Sequence, residues 1–126
     1  DRRHSEKAEL DKTHDEFAAL LSEEKKEGID IELQVVQKMP PTHFNESCIN
    51  RVRDAVNSLA LPHIEMISGA GHDAVYLSRT IPTAMIFVPC IGGISHNEIE
   101  DARPDELEAG AHVLLNAMLA EAGSVL

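Results

Sequence analysis

Apolar positions open the chain at helical spacing. Leu10, Phe17 and Leu21 fall on one face, with Ala18 beside them, and Ser5 is placed to cap a helix over roughly 6–26 that Gly28 ends. The pattern then switches period. Ile29, Ile31, Leu33 and Val35 alternate with Asp30, Glu32 and Gln34, which predicts a strand with one wet face, as in an antiparallel sheet. Pro40 and Pro41 stop it.

Beyond the prolines the chain reads differently. Asn45 caps a predicted helix whose stripe is Ile49, Val52, Val56 and Leu59, and Pro62 follows it. His63–Ile67 reads as a short strand, and a helix runs from Ala70 or His72 to about Thr80. Thr83–Val88 is a continuous apolar run between prolines, which predicts a strand buried on both faces. Pro104 suits the first turn of a last helix lined by Leu107, Ala111, Leu114 and Met118, and Gly123 ends that helix. Helix, strand, helix, strand, loop, helix is an α/β order with parallel strands. The composition of the pattern changes near Met39–Asn45, which divides the chain into 1–44 and 45–126.

The 126 residues are one domain or less, and 43% apolar content suffices for a core. With no Trp, one Tyr and three Phe, that core is aliphatic. The formal charge of −11 repels phosphate backbones and excludes nucleic acid as an expected partner. The acidity is spread over Ser5–Glu27 and Asn97–Glu108, as on solvated helix faces and a loop. Cys48 and Cys90 do not make a disulfide framework, and both read as reduced thiols of a cytoplasmic protein. No run reaches the length of a membrane span, and no signal peptide is visible. The first residues are DRRH, without Met, so Asp1 is not expected to be a natural start.

Three features carry candidate chemistry. SGAG, 68–71, lies between a predicted strand and a predicted helix, where glycine lets a backbone approach a ligand and helix N–H groups attract anions. A dinucleotide fingerprint needs a third glycine three residues on; position 74 is Ala, and Asp73 carries the wrong charge for phosphate. His72-Asp73 is either an acid–base or ligand pair, or a first-turn aspartate beside a packed loop histidine. His96 follows the most apolar strand, at the end where open α/β sheets bind ligands, and imidazole is the commonest metal-binding side chain. One histidine is not a metal site, which needs three or four ligands. Glu98, Glu100 and Asp101 either orient His96 or form a solvated loop. Cys90 as a nucleophile would need a base, and only His96 is near in sequence. Cys48 reads as a core or boundary residue, and Glu23-Glu24 as a solvated pair.

SGAGHDA, PTAMIFVPC, GGISHNEIE and RPDELEAGAHVLL, in that order, resemble the C-terminal part of the hydantoinase/carbamoylase branch of the metal-dependent aminoacylase and carboxypeptidase superfamily. That branch contains N-carbamoyl-L-amino-acid hydrolases, β-ureidopropionases and allantoate amidohydrolases. The match covers 45–122, while 1–44 resembles, more weakly, the end of the smaller lid or dimerisation domain.

The resemblance implies a three-layer, metallo-aminopeptidase-like α/β catalytic domain holding two divalent metals, zinc or manganese, with cobalt or nickel as alternatives. It also implies an α+β lid that makes a homodimer. Such enzymes cleave C–N bonds of small ureido substrates by attack of a metal-bound water, with a glutamate as general base. Carried over residue by residue, His96 matches the final metal ligand. Gly69, Ala70, Gly71 and His72 match the loop that meets substrate, and Asp73 completes that motif. The family's His-x-Asp, bridging Asp, Glu-Glu pair and further His have no recognisable counterpart here and are expected upstream. The chain is therefore expected to be an inactive piece of the whole enzyme. The alternative is a free-standing, non-catalytic α/β domain that acts through self-association or partner binding.

Overall fold

The computed structural model describes residues 3–26, 28 and 30–123, with the side chains of 25 and 26 excepted. Its elements are α1 (Lys7–Lys26), α2 (Glu46–Ser58), α3 (Asp73–Leu77), a 3₁₀ turn at Ile91–Gly93, and α4 (Pro104–Gly123). They fall into two compact units, Asp1–His43 with Ile67–Ala70, and Phe44–Met66 with Gly71–Leu126.

In the first unit, α1 begins at Lys7, within a residue of the expected start, and the Glu6 N–H donates to His4 Nδ1 at 2.9 Å. Leu10, Ala18 and Leu21 are half-buried on one face as the spacing predicts, while Phe17 is exposed. Thr13 and Ser22 return their hydroxyls to carbonyls one turn back, at Glu9 and Ala18. None of this unit's described residues is fully buried, so polar contacts contribute much of what holds it. Asp11 receives Lys7 Nζ at 2.5 Å on one oxygen and Lys38 Nζ at 3.0 Å on the other. The hydrogen bonds from Lys7 and then Lys38 hold its carboxyl down from 3.8 to about 2. A depressed carboxyl contributes stability that is complete above its ordinary value. That contribution is lost as pH falls through about 2. A carboxyl-carbon NMR titration should therefore place Asp11 near 2, and Lys7→Ala should return it further toward 3.8 than Lys38→Ala does.

The second unit is built on α2 against α4. Asn45 caps α2, its Oδ1 accepting from the Cys48 N–H at 3.1 Å, as its position predicts. The Asn45 N–H donates to the Thr83 carbonyl at 3.0 Å, which ties the start of α2 to the apolar segment after Pro82. The α2 stripe is confirmed, with Val56 buried and Ile49, Val52 and Leu59 half-buried. Val56 and Ala55 meet Val113 of α4, with Val52, Leu59, Leu61, Ile86 and Ala117 packed around them. At the far end, Arg51 pairs with Glu121.

The predicted face of α4 is corrected. Leu107, Leu114 and Met118 are 53%, 51% and 61% exposed, and Ala111 is also exposed. The face turned to α2 carries Val113 and Ala117. Both stripes have helical spacing, so periodicity alone does not choose between them.

Gly110 also lies under the Thr83–Val88 segment. A Cβ there would sit 2.5 Å from Val88 Cγ1, and the branched valine has little room to turn away. Alanine gains about 1 kcal/mol in helix propensity, but overpacking costs about 1–3 kcal/mol. Gly110→Ala is therefore expected to lower the unfolding free energy by about 1 kcal/mol in urea titration. Val88→Ala in the same chain should remove that penalty.

The segments read as strands stand alone. Among the described residues no strand ladder forms, and residues 63–67 and 84–88 make no backbone–backbone hydrogen bond. A strand is fixed by its neighbour, and neither segment has one here. Ile64, Met66 and Ile67 are 83%, 60% and 76% exposed. Leu33 and Val35 of the first predicted strand are also exposed, and Ile29 lies outside the described residues. The helix expected to reach Thr80 is only Asp73–Leu77. No helix among the described residues is long and apolar enough to cross a membrane.

Candidate functional site

The loop from Cys90 to Asp101 is the most organised of the chemistry-bearing segments. Cys90 starts the 3₁₀ turn, whose Gly92 and Gly93 have φ of 65° and 70°, values that glycine adopts without strain. The Gly93 N–H donates to the Cys90 carbonyl at 3.0 Å. The Ile91 N–H donates to the Asp101 carbonyl at 2.8 Å, which closes the loop at its mouth.

At the loop tip, His96 is exposed and has φ of 56°. That left-handed conformation costs a non-glycine residue about 1–2 kcal/mol. Its backbone N–H donates to Glu100 Oε2 at 2.6 Å. The other oxygen of the same carboxylate lies 3.8 Å from the Cys90 thiol. Asn97 turns the chain back, its Oδ1 accepting from the Ile99 N–H at 3.1 Å and its carbonyl from the Glu100 N–H at 3.0 Å.

Of Glu98, Glu100 and Asp101, the three carboxylates expected either to orient His96 or to lie solvated, Glu100 meets His96, at its backbone amide rather than its imidazole. Asp101 instead accepts from the Ala102 N–H. The thiol partner of Cys90 is Glu100, so the Cys–His pair needed for a nucleophile is not the arrangement of this loop. Both cysteines are free thiols.

The SGAGHDA stretch divides between the units. In the first, the Arg3 guanidinium donates to the Gly69 carbonyl at 2.6 Å, and the Ala70 N–H donates to Ser68 Oγ at 3.2 Å. Arg3 and Gly69 are 66 residues apart, so no local pattern announces the contact. In the second unit, Gly71 has open space where a Cβ would point. His72 precedes α3 in extended conformation, without a side-chain cap bond. Its ring packs edge-on to Phe87, with centroids 5.4 Å apart. Asp73 lies exposed in the first turn of α3.

The residues present do not by themselves fit a metal centre. Among the described residues, no three His, Cys, Asp or Glu side chains are grouped to hold an ion. His96 stands as a single imidazole on a well-held loop. A separate groove of about 740 Å³ runs between α2, the Thr83–Val88 segment and α4. Val52, Ile86, Val88, Leu107, Leu114 and Met118 line it, and its apolar walls offer packing rather than catalysis.

Comparison with known proteins places these loops in a family. Residues 5–120 match Peptidase family M20/M25/M40. An N-carbamoyl-L-amino-acid amidohydrolase of Rhizobium meliloti is 40% identical over 92 residues, 73% of this chain and 22% of the relative. An allantoate amidohydrolase of Escherichia coli is 37% identical over 87 residues, 69% of this chain and 21% of the relative. The solved structure of an amidase of the hydantoinase/carbamoylase family from Burkholderia multivorans superposes with a TM-score of 0.88 at 42% identity, covering 93% of this chain and 29% of that one. The chain thus spans between a fifth and a third of the length of these relatives. On sequence and on fold, the chain belongs to the peptidase M20/M25/M40 family, and within it is similar to amidases of the hydantoinase/carbamoylase family.

Proposed function

We propose that this chain is the C-terminal part of a binuclear metal-dependent amidohydrolase that cleaves C–N bonds of N-carbamoyl amino acids or allantoate. The observation that carries the proposal is the GISHN loop, which presents one exposed imidazole, His96, from a backbone closed at its mouth and held at its tip. In this reading His96 is one metal ligand, and the other ligands and the general-base glutamate come from the remainder of the whole enzyme. In the whole enzyme, divalent metals held in part by His96 would supply Lewis-acid activation of a ureido carbonyl and of a water molecule. This chain supplies the His96 imidazole and the Gly69–His72 stretch that meets substrate.

Residues 45–126 then form the end of the three-layer catalytic α/β domain, and 1–44 the end of the lid. The unpaired backbone of 63–67 and 84–88 and the bare apolar walls of the groove support this reading. These are positions for neighbouring strands and helices of a larger sheet domain. The same surface supports dimerisation or other self-association.

Two samples test the proposal: the 126-residue chain, and a polypeptide of the relatives' length that carries it at its C-terminal end. Each is assayed on N-carbamoyl-L-amino acids and allantoate, with and without Zn²⁺ or Mn²⁺, after sedimentation has fixed its assembly state. The long polypeptide is expected to turn over only with metal, and the short chain not at all. Turnover by the short chain would overturn the shared site. No turnover of any ureido substrate by the long one would overturn the amidohydrolase assignment.

A further inference from the structure

We propose that Glu100 is the positioning residue of the His96 loop: its carboxylate clamps the His96 amide in the left-handed conformation and spans back to Cys90 at the loop's start. Three observations converge on it. The His96 N–H reaches Glu100 Oε2 at 2.6 Å, a short contact between an amide and an ionisable acceptor. His96 has φ of 56°, a conformation that persists at a non-glycine residue only where surrounding contacts impose it. The second carboxylate oxygen, Oε1, lies 3.8 Å from Cys90 Sγ, six residues before His96 in the chain.

The local sequence aims the side chain. Asn97 reverses the backbone through its Oδ1 and its carbonyl, which brings position 100 back under the amide of position 96. One carboxylate thus joins the two ends of the Cys90–His96 segment, independently of the Ile91-to-Asp101 bond at the mouth. Left-handed backbone at residue 96 turns its side chain away from the direction that a helical or extended residue would take. Loss of the clamp therefore re-aims the imidazole without altering its chemistry.

The inference rests on the reading of His96 as a ligand only for its functional consequence, because the clamp itself is read without metal. The experiment is amide hydrogen exchange by NMR on the isotope-labelled 126-residue chain, with backbone carbon shifts as a second readout. Glu100→Ala is expected to speed exchange of the His96 amide about tenfold and to move its carbon shifts away from left-handed values. Glu100→Gln keeps an acceptor oxygen and is expected to stay within about twofold of the parent. An unchanged circular dichroism spectrum shows that the effect is local.

The clamp is overturned if Glu100→Ala leaves exchange and shifts at His96 unchanged. It is equally overturned if Glu100→Gln is as damaging as alanine. Should the alanine variant fail to fold, Glu100→Asp replaces it: the shortened side chain is expected to release the amide, and retained protection overturns the clamp. Failure of His96 as a ligand would appear only in the metal-dependent assay of the long polypeptide, so the two failures are distinguishable.

Discussion

Replacing Val113 with aspartate is expected to unfold the α2–α4 unit. Val113 is 4% exposed and clusters with Ala55 and Val56, and these three, with Val75, are the buried residues among those described. A carboxylate at that point loses its hydration and meets only apolar neighbours, a penalty of about 3–5 kcal/mol. Whole domains are stable by only about 5–15 kcal/mol, and a core this thin sits at the low end. Val113→Ala removes two methyl groups and leaves a small void, so about 1–2 kcal/mol is expected from it. Leu114→Asp, one residue along, replaces a larger apolar side chain that is 51% exposed. It should change stability by no more than about 0.5 kcal/mol. Urea denaturation followed by helical circular dichroism decides the matter. If Leu114→Asp proved more damaging than Val113→Asp, α4 would face α2 with the Leu107, Leu114, Met118 stripe, and the packing described above would be wrong.

That contrast also marks how far the sequence could be read. The α2 stripe was legible because its apolar residues lie on one side only, with charge elsewhere, so spacing had one solution. Asn45 and Pro104 were legible because caps and first turns are local chemistry. α4 is apolar on more than one side, and its sequence admits two helical stripes. The choice between them fell to tertiary packing, which sets Val113 and Ala117 against α2. Residues 63–67 and 83–88 read as strands, but neither forms a ladder among the described residues, because pairing depends on a neighbour that local pattern does not contain. At the site, Glu100 was one of three carboxylates after His96 that the sequence offered alike, and its target, a backbone amide, depends on a left-handed turn that no residue type announces. Arg3 and Gly69, 66 residues apart, had no sequence signal at all.

His96→Ala in the long polypeptide is expected to lower kcat/KM for an N-carbamoyl amino acid by on the order of a thousandfold. Loss of a group that merely orients a ligand costs roughly 10–100-fold in metal affinity or activity. Loss of a ligand itself removes a coordinate bond and exceeds that range. The side chain is exposed, so its truncation removes no packing, and the unfolding free energy should stay within about 0.5 kcal/mol. A large fall in activity at constant stability is what separates a chemical role from a structural one. His96→Gly sharpens the separation. Glycine also removes the imidazole, but it accepts a φ of 56° without steric cost and should raise stability by about 1 kcal/mol. The two variants are thus expected to agree in activity and differ in stability. Added metal should recover part of the rate in both if affinity is what was lost, since a weakened site refills by mass action. Activity within about threefold of the parent in both variants would remove His96 from the metal site. The family's chemistry would then have to proceed in this protein without the imidazole that its GISHN loop presents.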